Sequence, residues 1–368
     1  MSGMKILYFF KDYPTPMYQW QHKHIIDELR HHECYVEIFN PLNYESTLSA
    51  NEELISYLKK NKYDMFMTPH GHIDIFPETI LDIKKLGIPT LLICFDNLIA
   101  PFMHEKNAKY FDLVWLTSKE TEYLFKRWGC NTIFMPYAAN PHFFKPLFEK
   151  EINRMLFIGT PYGSRKNTIM KLLYNDIDIS LFGNTANSSS VPNEINKINY
   201  LKTAYNFSRF SIGRKVLLST LKYKFNSSNE LDLIHPHLIV NPPVDHSEMN
   251  YLLSNFAMSV SFTSALKTEI LKNPVPIINL RSFEIPMSGG LQFCRHTKEM
   301  ADYFEEDKEV LFYKNDDELI SKAIFYLKPE NEEIRKQMKI AARKRSENDH
   351  TWFNRFCNVF DNIGIKVK

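Results

Sequence analysis

One stretch of the chain combines a lone carboxylate with paired glycines at a spacing that suits nucleotide binding. Residues 281–291 read Arg-Ser-Phe-Glu-Ile-Pro-Met-Ser-Gly-Gly-Leu, which places Glu284 near a predicted helix start and Gly289 at its end. An apolar strand follows, and then a polar turn at residues 295–297. Backbone NH groups at such a turn can hold a diphosphate, and the carboxylate can bind two vicinal ribose hydroxyls. The alternative is an ordinary joint in which glycine ends a helix before a buried strand.

The composition of the chain is typical of a globular enzyme. Its 368 residues suffice for two domains, 24% of them are charged and 44% hydrophobic, and the formal net charge is +2. So small a net charge argues against a nucleic-acid-binding protein. Five cysteines without close pairs argue against a disulfide framework and against a zinc site. The sequence has neither a signal-peptide layout nor an apolar run of about 20 residues, which predicts a cytoplasmic protein without a membrane span.

Residues 1–150 alternate short apolar runs with segments of helical period. This alternation is typical of a parallel sheet covered by helices, and we predict a first Rossmann-like α/β domain over these residues. The predicted strands are residues 5–10, 35–39, 65–68, 90–95, 113–117 and 132–135.

A second α/β pattern follows, and we predict a second Rossmann-like domain over residues 151–345 and a C-terminal helix within residues 346–368. The fold class is therefore α/β with two doubly wound domains. In such sheets ligands bind at the carboxyl ends of the strands. The predicted strands of the second domain are residues 155–159, 177–182, 258–262, 291–293 and 310–313.

Residues 184–240 interrupt the second pattern as a basic insertion. Residues 184–193 are rich in Ser, Asn and Thr, which predicts a loop. Between Glu194 and Glu230 the chain has no acidic residue, and its Lys and Arg residues alternate with aromatic and leucine side chains. This pattern favours contact with anionic lipid headgroups through residues 205–225. The alternatives are a solvated basic insertion or a cover over a binding cleft. No nucleic-acid recognition motif accompanies the basic residues.

The order and spacing of several motifs resemble the CgeB-like "glycosyl transferases group 1" family of GT-B glycosyltransferases. Individually the motifs are short, and together they extend over most of the chain. In the first half the matching stretches are residues 63–67, 70–71, 77–78, 85–90, 94–97, 110–113 and 136–143. In the second half they are residues 157–159, 164–166, 281–291 and 350–355.

The resemblance implies the GT-B plan, in which two Rossmann-like domains face a cleft and the C-terminal helix crosses back to the first, acceptor-side domain. The implied activity is transfer of a sugar from a nucleoside-diphosphate sugar, in particular a UDP-sugar, to a saccharide or lipid-linked glycan of the cell envelope or surface. Neither a metal nor another cofactor is implied. Together with the basic insertion, this activity predicts a cytoplasmic protein at the inner face of the plasma membrane. Two other classes remain open, namely a nucleotide-sugar epimerase or hydrolase and a non-catalytic spore or surface maturation protein.

The resemblance also assigns a donor site in the second domain. Glu284 matches the family carboxylate that holds the ribose hydroxyls. Arg165 and Lys166 match cations that neutralise the leaving diphosphate, a need that is larger where no metal is expected. The other residues that the resemblance assigns to nucleotide-sugar binding are Gly159, Arg281, Gly289, Arg295, His296 and Thr297.

Three candidate residues for catalysis or substrate contact follow two predicted strands in the first half of the chain. Asp96 follows the strand at residues 90–95, where a carboxylate can act as a general base on an acceptor hydroxyl or accept hydrogen bonds from donor-sugar hydroxyls. His70 and His72 follow another strand and are rival contacts for acceptor or donor. The alternative for both histidines is a structural hydrogen bond.

The chain departs from the family pattern at three positions. Many retaining relatives have a second glutamate eight residues before the ribose carboxylate, where this chain has Pro276. The relatives have a histidine at the strand end where this chain has Asp96, and residues 13–16 replace the usual Gly-Gly loop. The donor sugar and the stereochemistry of transfer therefore stay open.

Overall fold

The computed structural model of the chain describes residues 3–185, 200–226 and 231–365. The chain forms two compact units. Unit 1 runs to Phe143 and resumes at His350, and unit 2 comprises Phe144–Asp349. The chain therefore leaves unit 1, builds the whole of unit 2, and then returns to unit 1. The boundaries predicted from the sequence lie after residues 150 and 345.

Unit 1 is built on a parallel sheet of six strands. The central strands of the sheet are buried on both faces, which is why they read as continuous apolar runs rather than as alternating ones. The strands are β1 Lys5–Phe9, β2 Tyr35–Phe39, β3 Met65–Thr68, β4 Thr90–Cys94, β5 Leu113–Leu116 and β6 Thr132–Phe134. Their order in the sheet is β2-β1-β3-β4-β5-β6, so the direction of winding reverses between β1 and β3.

The helices of unit 1 begin at residues suited to helix starts. Pro16 and Pro77 occupy first helical positions, and the Ser46 hydroxyl accepts a hydrogen bond from the Ser49 NH group in a capping box. A π-helical turn, His22–Ile26, joins the first two helices into one continuous element. The helices are α1 Pro16–Gln21, α2 Asp27–His31, α3 Thr47–Lys60, α4 Pro77–Lys85 and α5 Glu122–Arg127.

Unit 2 contains a second parallel sheet of six strands with its own apolar core. The strands are β7 Ile152–Ile158, β8 Ile179–Phe182, β9 Leu238–Asn241, β10 Phe256–Ser261, β11 Gln292–Arg295 and β12 Leu311–Tyr313. Their order is β12-β11-β10-β7-β8-β9, so the winding reverses between β7 and β10. The helices of unit 2 are α6 Ser164–Leu173, α7 Tyr200–Ser208, α8 Ser211–Asn226, α9 His246–Asn255, α10 Arg281–Met287, α11 Lys298–Tyr303, α12 Asp316–Tyr326 and α13 Glu332–Asp349. The prediction of two doubly wound α/β domains is confirmed.

The basic insertion is shorter than the prediction of residues 184–240, because its last residues form β9. This strand lies at the edge of the sheet and buries only Leu238 fully, and prolines flank it in the sequence. From the sequence alone, an edge strand with this pattern is easily mistaken for a loop. The loop predicted over residues 184–193 lies, from residue 186 onward, outside the described residues. No described helix has both the length and the apolar content needed to cross a bilayer.

The last helix, α14 Trp352–Ile363, belongs to unit 1, as the resemblance implies. Trp352 is completely buried, and its indole Nε1 donates a hydrogen bond of 3.0 Å to Nδ1 of His24. Aromatic rings pack around the indole at centroid distances of 5.9 to 6.2 Å. These rings belong to Trp20, Phe95, Trp115 and Tyr137.

Hydrogen bonds from the residues next to Trp352 also attach α14 to unit 1. The hydroxyl of Thr351 caps the start of α14, and the carbonyl oxygen of His350 accepts a hydrogen bond from the NH group of Ala139. Arg355 is buried, and its Nε donates to the carbonyl oxygen of Pro136. The His-Thr-Trp-x-x-Arg motif at residues 350–355 is therefore the attachment of α14 to unit 1.

A buried acid on α2 makes the stability of this attachment depend on pH. Glu28 is fully buried, and its Oε1 accepts a hydrogen bond of 2.8 Å from the NH group of Phe353. Burial raises the pKa of Glu28 to about 8. Between pH 4.5 and 8 the unfolded chain therefore releases a proton that the folded chain retains, so stability falls as the pH rises. Buried His104, with its pKa lowered to about 4 by burial, acts in the opposite direction only below pH 6.5.

We expect Glu28→Gln to remove the loss of stability between pH 6.5 and pH 8. The wild-type protein should lose roughly 1 to 2 kcal/mol of unfolding free energy over this interval, because one proton is released on unfolding. Calorimetric melting at both pH values measures the difference. Glu52→Gln, at an exposed position of α3, is the matched control and should keep the wild-type pH dependence. Equal slopes in Glu28→Gln and the wild type would contradict the assignment.

Candidate functional site

The carboxyl ends of β7 and β10 form the ligand-binding edge expected for unit 2, because the strand order reverses between them. Gly159 directly follows β7 with a positive φ of 145°, which a residue with a Cβ atom rarely adopts. The neighbouring strand end is also tightly packed, since a Cβ atom on Gly183 would lie 2.1 Å from the carbonyl oxygen of Gly159. Glycine is thus required where the backbone turns at this edge.

Helix α6 begins at this edge. Gly163 precedes it with a positive φ of 59° and provides no capping side chain. The NH group of Arg165 donates to the carbonyl oxygen of Tyr162, and the other NH groups in the first turn of this ten-residue helix have no side-chain cap. Such groups and the helix dipole favour an anion. Lys166, in the first turn of α6, is half-buried. The structure therefore places two predicted residues, Gly159 and Lys166, close to a helix start suited to a phosphate.

Arg165 lies on the first turn of α6, and its guanidinium is close to two aromatic rings. Its guanidinium is 4.1 Å from the ring centroid of Tyr162 and 5.5 Å from that of Phe262, the residue after β10. It also donates a hydrogen bond of 3.2 Å to the carbonyl oxygen of Thr160. Burial lowers the pKa of Arg165, but a guanidinium stays protonated in proteins. A fixed positive charge therefore lies at the β7–β10 edge.

Arg295 supplies a second guanidinium at the same edge of the sheet, at the end of β11. Its Nη1 is 3.7 Å from Oε1 of Glu269, whose side chain is only 13% exposed. The negative charge of Glu269 also acts on Arg165. Both arginines are therefore within the electrostatic reach of one carboxylate. The sequence does not indicate Glu269, because it lies in a short 3-10 helix, Thr268–Ile270, without a recognisable motif.

Hydrogen bonds within unit 2 already use the NH group of His296 and the hydroxyl of Thr297. The NH group of His296 donates to the carbonyl oxygen of Tyr313 and extends the β11–β12 pairing. The hydroxyl of Thr297 accepts a hydrogen bond from the NH group of Met300 and caps α11. The predicted diphosphate cradle therefore does not include the NH group of His296.

Glu284 lies one turn into α10, a helix that runs antiparallel to the strands and so begins at their carboxyl edge. The amide of Asn279, just before this helix, donates to the carbonyl oxygen of Phe262, which fixes the helix start next to the end of β10. Only 3% of Glu284 is exposed, and its Oε2 is 2.5 Å from Nη1 of Arg281. Arg281 is half-buried. A ribose hydroxyl can reach this carboxylate only where the surface beside Arg281 is open.

The structure does not bring Gly289 to this edge. Gly289 ends α10 with a positive φ of 71°, as the glycine pattern indicated, but the end of α10 lies at the amino edge of the sheet. A Cβ atom at this position would lie 2.6 Å from Pro146 and 3.1 Å from Phe148. Its assignment to nucleotide-sugar binding is therefore corrected to a helix end that packs against residues 144–150.

Asp96 follows β4 in unit 1 and starts a helical turn, in which its carbonyl oxygen accepts from the NH groups of Ile99 and Ala100. The residue lies at the surface of unit 1, yet the protein atoms around its carboxyl group desolvate it and raise its pKa. A raised pKa makes a carboxylate a better proton acceptor. The catalytic role of Asp96 stays a prediction.

His70 follows β3, and both nitrogens of its ring are engaged. Nε2 accepts a hydrogen bond of 2.9 Å from the backbone NH of Lys11, and Nδ1 is 3.3 Å from Oδ2 of Asp74. Asp74 in turn pairs with the ammonium of Lys11 at 2.5 Å. This network is complete without a substrate, which favours the structural alternative for His70 over catalysis. His72 pairs its Nδ1 with the carbonyl oxygen of Met103.

A second histidine–carboxylate pair in unit 1 has no counterpart among the motifs. Nε2 of His22, in the π-helical turn, lies 2.8 Å from Oδ1 of Asp12, which follows β1. Both side chains are partly exposed. Their separation by ten residues fits neither a helix period nor a known motif, so only the folded chain reveals the pair. In residues 3–185, 200–226 and 231–365, no three His, Cys, Asp or Glu side chains form a group suited to a metal ion.

Comparison with known proteins defines the class of the fold. Residues 214–361 match the family described as "Glycosyl transferase-like". A search of curated proteins found no match. Solved structures match along essentially the whole chain. The sucrose-phosphate synthase of Thermosynechococcus elongatus is 11% identical with a TM-score of 0.53, and the match covers 99% of each chain.

Two further solved structures have the same architecture. A glycosyltransferase from Rickettsia africae is 11% identical, with a TM-score of 0.54 and full coverage of both chains. Anabaena HepE, solved in complex with UDP and glucose, is 10% identical, with a TM-score of 0.57 and coverage of 98% of this chain and 99% of that one. The chain thus has the GT-B fold, and the fold that the resemblance implies is confirmed. The CgeB-like subtype stays a prediction.

Proposed function

We propose that the chain is a metal-independent glycosyltransferase that transfers a sugar from a UDP-sugar to a saccharide acceptor. The observation that carries the proposal is the edge of unit 2 between β7 and β10, where Arg165, Arg295 and the start of α6 present positive charge. Glu284 and Arg281 lie in the first turn of α10, the helix that follows β10 in the chain. The Glycosyl transferase-like match and the GT-B fold support the reaction class. The UDP in the HepE structure supports the choice of nucleotide.

In the proposed reaction the residues of unit 2 stabilise the departing nucleoside diphosphate. When the bond between the sugar and the phosphate oxygen breaks, negative charge grows on the diphosphate. The guanidinium of Arg165 and the NH groups of α6 are fixed in place before this charge appears, which is the condition for effective electrostatic catalysis. Glu284 binds the ribose hydroxyls and orients the donor. Asp96 in unit 1 accepts a hydrogen bond from the acceptor or donor sugar.

Calorimetry and a donor screen test the proposal. The purified wild-type protein is titrated with UDP, GDP and uridine, and we expect binding of UDP that is at least tenfold tighter than that of uridine, because the diphosphate contacts carry affinity. The protein is then incubated with UDP-sugars, with and without saccharide acceptors, and the products are separated. Transfer to an acceptor supports the proposal. Epimerised donor, or no binding of any nucleotide, would instead identify an epimerase or a non-catalytic protein.

We further propose that the acceptor is a saccharide or lipid-linked glycan of the cell envelope, and that α7 and α8 bring the protein to the inner face of the plasma membrane. The two helices have no acidic residue. Their exposed apolar side chains include Leu201 at 84% and Phe225 at 86% exposure. Basic side chains surround them, and an anionic lipid surface complements such a pattern. The exposed basic residues are Lys202, Arg209, Arg214, Lys215, Lys222 and Lys224.

We expect the double variant Leu221→Ser, Phe225→Ser to bind anionic vesicles about tenfold more weakly than the wild type, because two exposed apolar anchors are lost. Co-sedimentation with vesicles of phosphatidylglycerol and phosphatidylcholine measures the effect, and added salt should weaken wild-type binding. The matched control is Ile324→Ser, Phe325→Ser, two exposed apolar residues of α12. Salt-insensitive binding, an equal loss in the control, or no vesicle binding would exclude this surface as a membrane contact.

A further inference from the structure

The carboxyl end of β1 is the ligand-binding position expected for unit 1, because the strand order reverses between β1 and β3. Residues 11–13 follow β1 at this position, and α1 and the π-helical turn come next. π-Helical turns inside a helix are frequent at functional sites. The side chains that these segments present therefore define what unit 1 can bind.

Asp12 is held in place by its neighbours. Its Oδ1 accepts a hydrogen bond of 3.3 Å from the amide of Gln19, and its backbone NH donates to Oδ1 of Asn40 at 3.3 Å. The same Oδ1 lies 2.8 Å from Nε2 of His22. A carboxylate fixed in this way selects the imidazole tautomer that carries its proton on Nε2. Nδ1 of His22 is then a hydrogen-bond acceptor.

The contrast with His70 shows what distinguishes His22. Both ring nitrogens of His70 are engaged by protein groups. Within the described residues, Nδ1 of His22 has no protein partner, and 21% of its side-chain surface is exposed. Both ring nitrogens of His70, the histidine that the family motif indicated, are therefore used by the protein. His22 keeps Nδ1 as a hydrogen-bond acceptor for a hydroxyl group of a ligand.

The ring of Phe10 packs against His22 and links it to two tyrosine rings. The ring of Phe10 lies 6.0 Å from His22 and 6.3 Å from Tyr18, which is one turn before His22 in the helix. Tyr18 in turn lies 4.8 Å from Tyr13, and 36% of Tyr13 is exposed. Tyrosine rings combine an apolar face with a polar tip, which suits the alternating CH and hydroxyl groups of a sugar ring.

We propose that this group of residues is the saccharide acceptor subsite of the enzyme. A sugar ring packs against Tyr13 and Tyr18, and one of its hydroxyls donates a hydrogen bond to Nδ1 of His22. Asp12 is the positioning residue, since it fixes the tautomer and the orientation of the imidazole. The subsite rests on the proposed glycosyltransferase function and specifies the acceptor as a hexose unit with a free hydroxyl.

The test uses full-length protein and four probes, the methyl glycosides of glucose, galactose, mannose and N-acetylglucosamine, in the presence of UDP. Saturation-transfer NMR on the wild type should show contact with ring protons of at least one probe. His22→Gln is the informative variant, because a Gln amide can still donate to Asp12 while the Nδ1 acceptor is lost. We expect at least tenfold weaker probe binding and transfer, with UDP affinity unchanged within twofold.

Two further variants separate the roles. Asp12→Asn should lower transfer in the wild-type background but not in the His22→Gln background, because Asp12 acts through His22. His31→Gln, an exposed histidine of α2, is the control and should be neutral. Wild-type protein that binds UDP but no probe, or His22→Gln protein with wild-type transfer, would overturn the subsite. Wild-type protein that does not bind UDP would overturn the proposed function itself.

Discussion

Glu284→Gln should weaken UDP binding more than tenfold, which corresponds to about 1.4 kcal/mol or more. The substitution keeps the size of the side chain and removes its charge, so the loss reports on the carboxylate. Two vicinal hydroxyls that donate to a buried carboxylate each form a charge-assisted hydrogen bond, worth roughly 1.5 to 3 kcal/mol. Titration calorimetry with UDP gives the affinity directly.

A ribose contact has a specific signature beyond weaker binding. The wild type should prefer UDP over its 2′-deoxy analogue, and Glu284→Gln should lose this preference. Glu248→Gln, at an exposed position in the first turn of α9, is the control and should bind both nucleotides as the wild type does. Unchanged UDP affinity would remove Glu284 from the donor site. If Glu284→Gln lowered the melting temperature but kept the preference for UDP over its 2′-deoxy analogue, Glu284 would stabilise the fold through its ion pair with Arg281 instead of binding ribose.

Trp352→Ala should destabilise the protein by about 3 to 5 kcal/mol, the range for truncation of a fully buried large aromatic side chain. The indole fills a pocket lined by four aromatic rings, and its removal also leaves Nδ1 of His24 without its donor. Because the side chain connects α14 to the rest of unit 1, we expect the loss to appear in the melting of unit 1. Calorimetry and near-ultraviolet circular dichroism measure the change.

The control for this substitution is Asn358→Ala, which lies on the exposed side of the same helix. It should change the unfolding free energy by less than about 0.5 kcal/mol, as is usual for surface positions. If Trp352→Ala melted like this control, α14 would not contribute to the stability of unit 1 and the interpretation of residues 350–355 as an attachment would be wrong.

The features that the sequence predicts well depend on patterns within short segments. Strands buried on both faces, such as β4 and β10, appear as apolar runs because every side chain in them faces a helix layer. The helix that carries Glu284 is also predictable, since Gly289 marks its end. The position of Asp96 at a strand end is predictable as well, because the apolar run of β4 stops just before it.

The features that the sequence does not predict depend on contacts between distant segments. Glu269 reaches Arg295 from a short 3-10 helix after β10, and no local pattern marks it. The Asp12–His22 pair joins the segment after β1 to a π-helical turn, and no local pattern predicts such a turn. Gly289 shows the converse case, because its pattern indicated a ligand whereas residues 144–150 occupy the space beside it.

The discontinuity of unit 1 has a consequence for biosynthesis. When residue 143 leaves the ribosome, the pocket between Trp20, Phe95, Trp115 and Tyr137 still lacks the indole that fills it. Unit 2 is complete as a continuous segment and can fold while this aromatic surface remains unfilled. Nascent chains that stall before residue 350 should therefore be prone to aggregation and should recruit chaperones, and this exposure ends when α14 is synthesised.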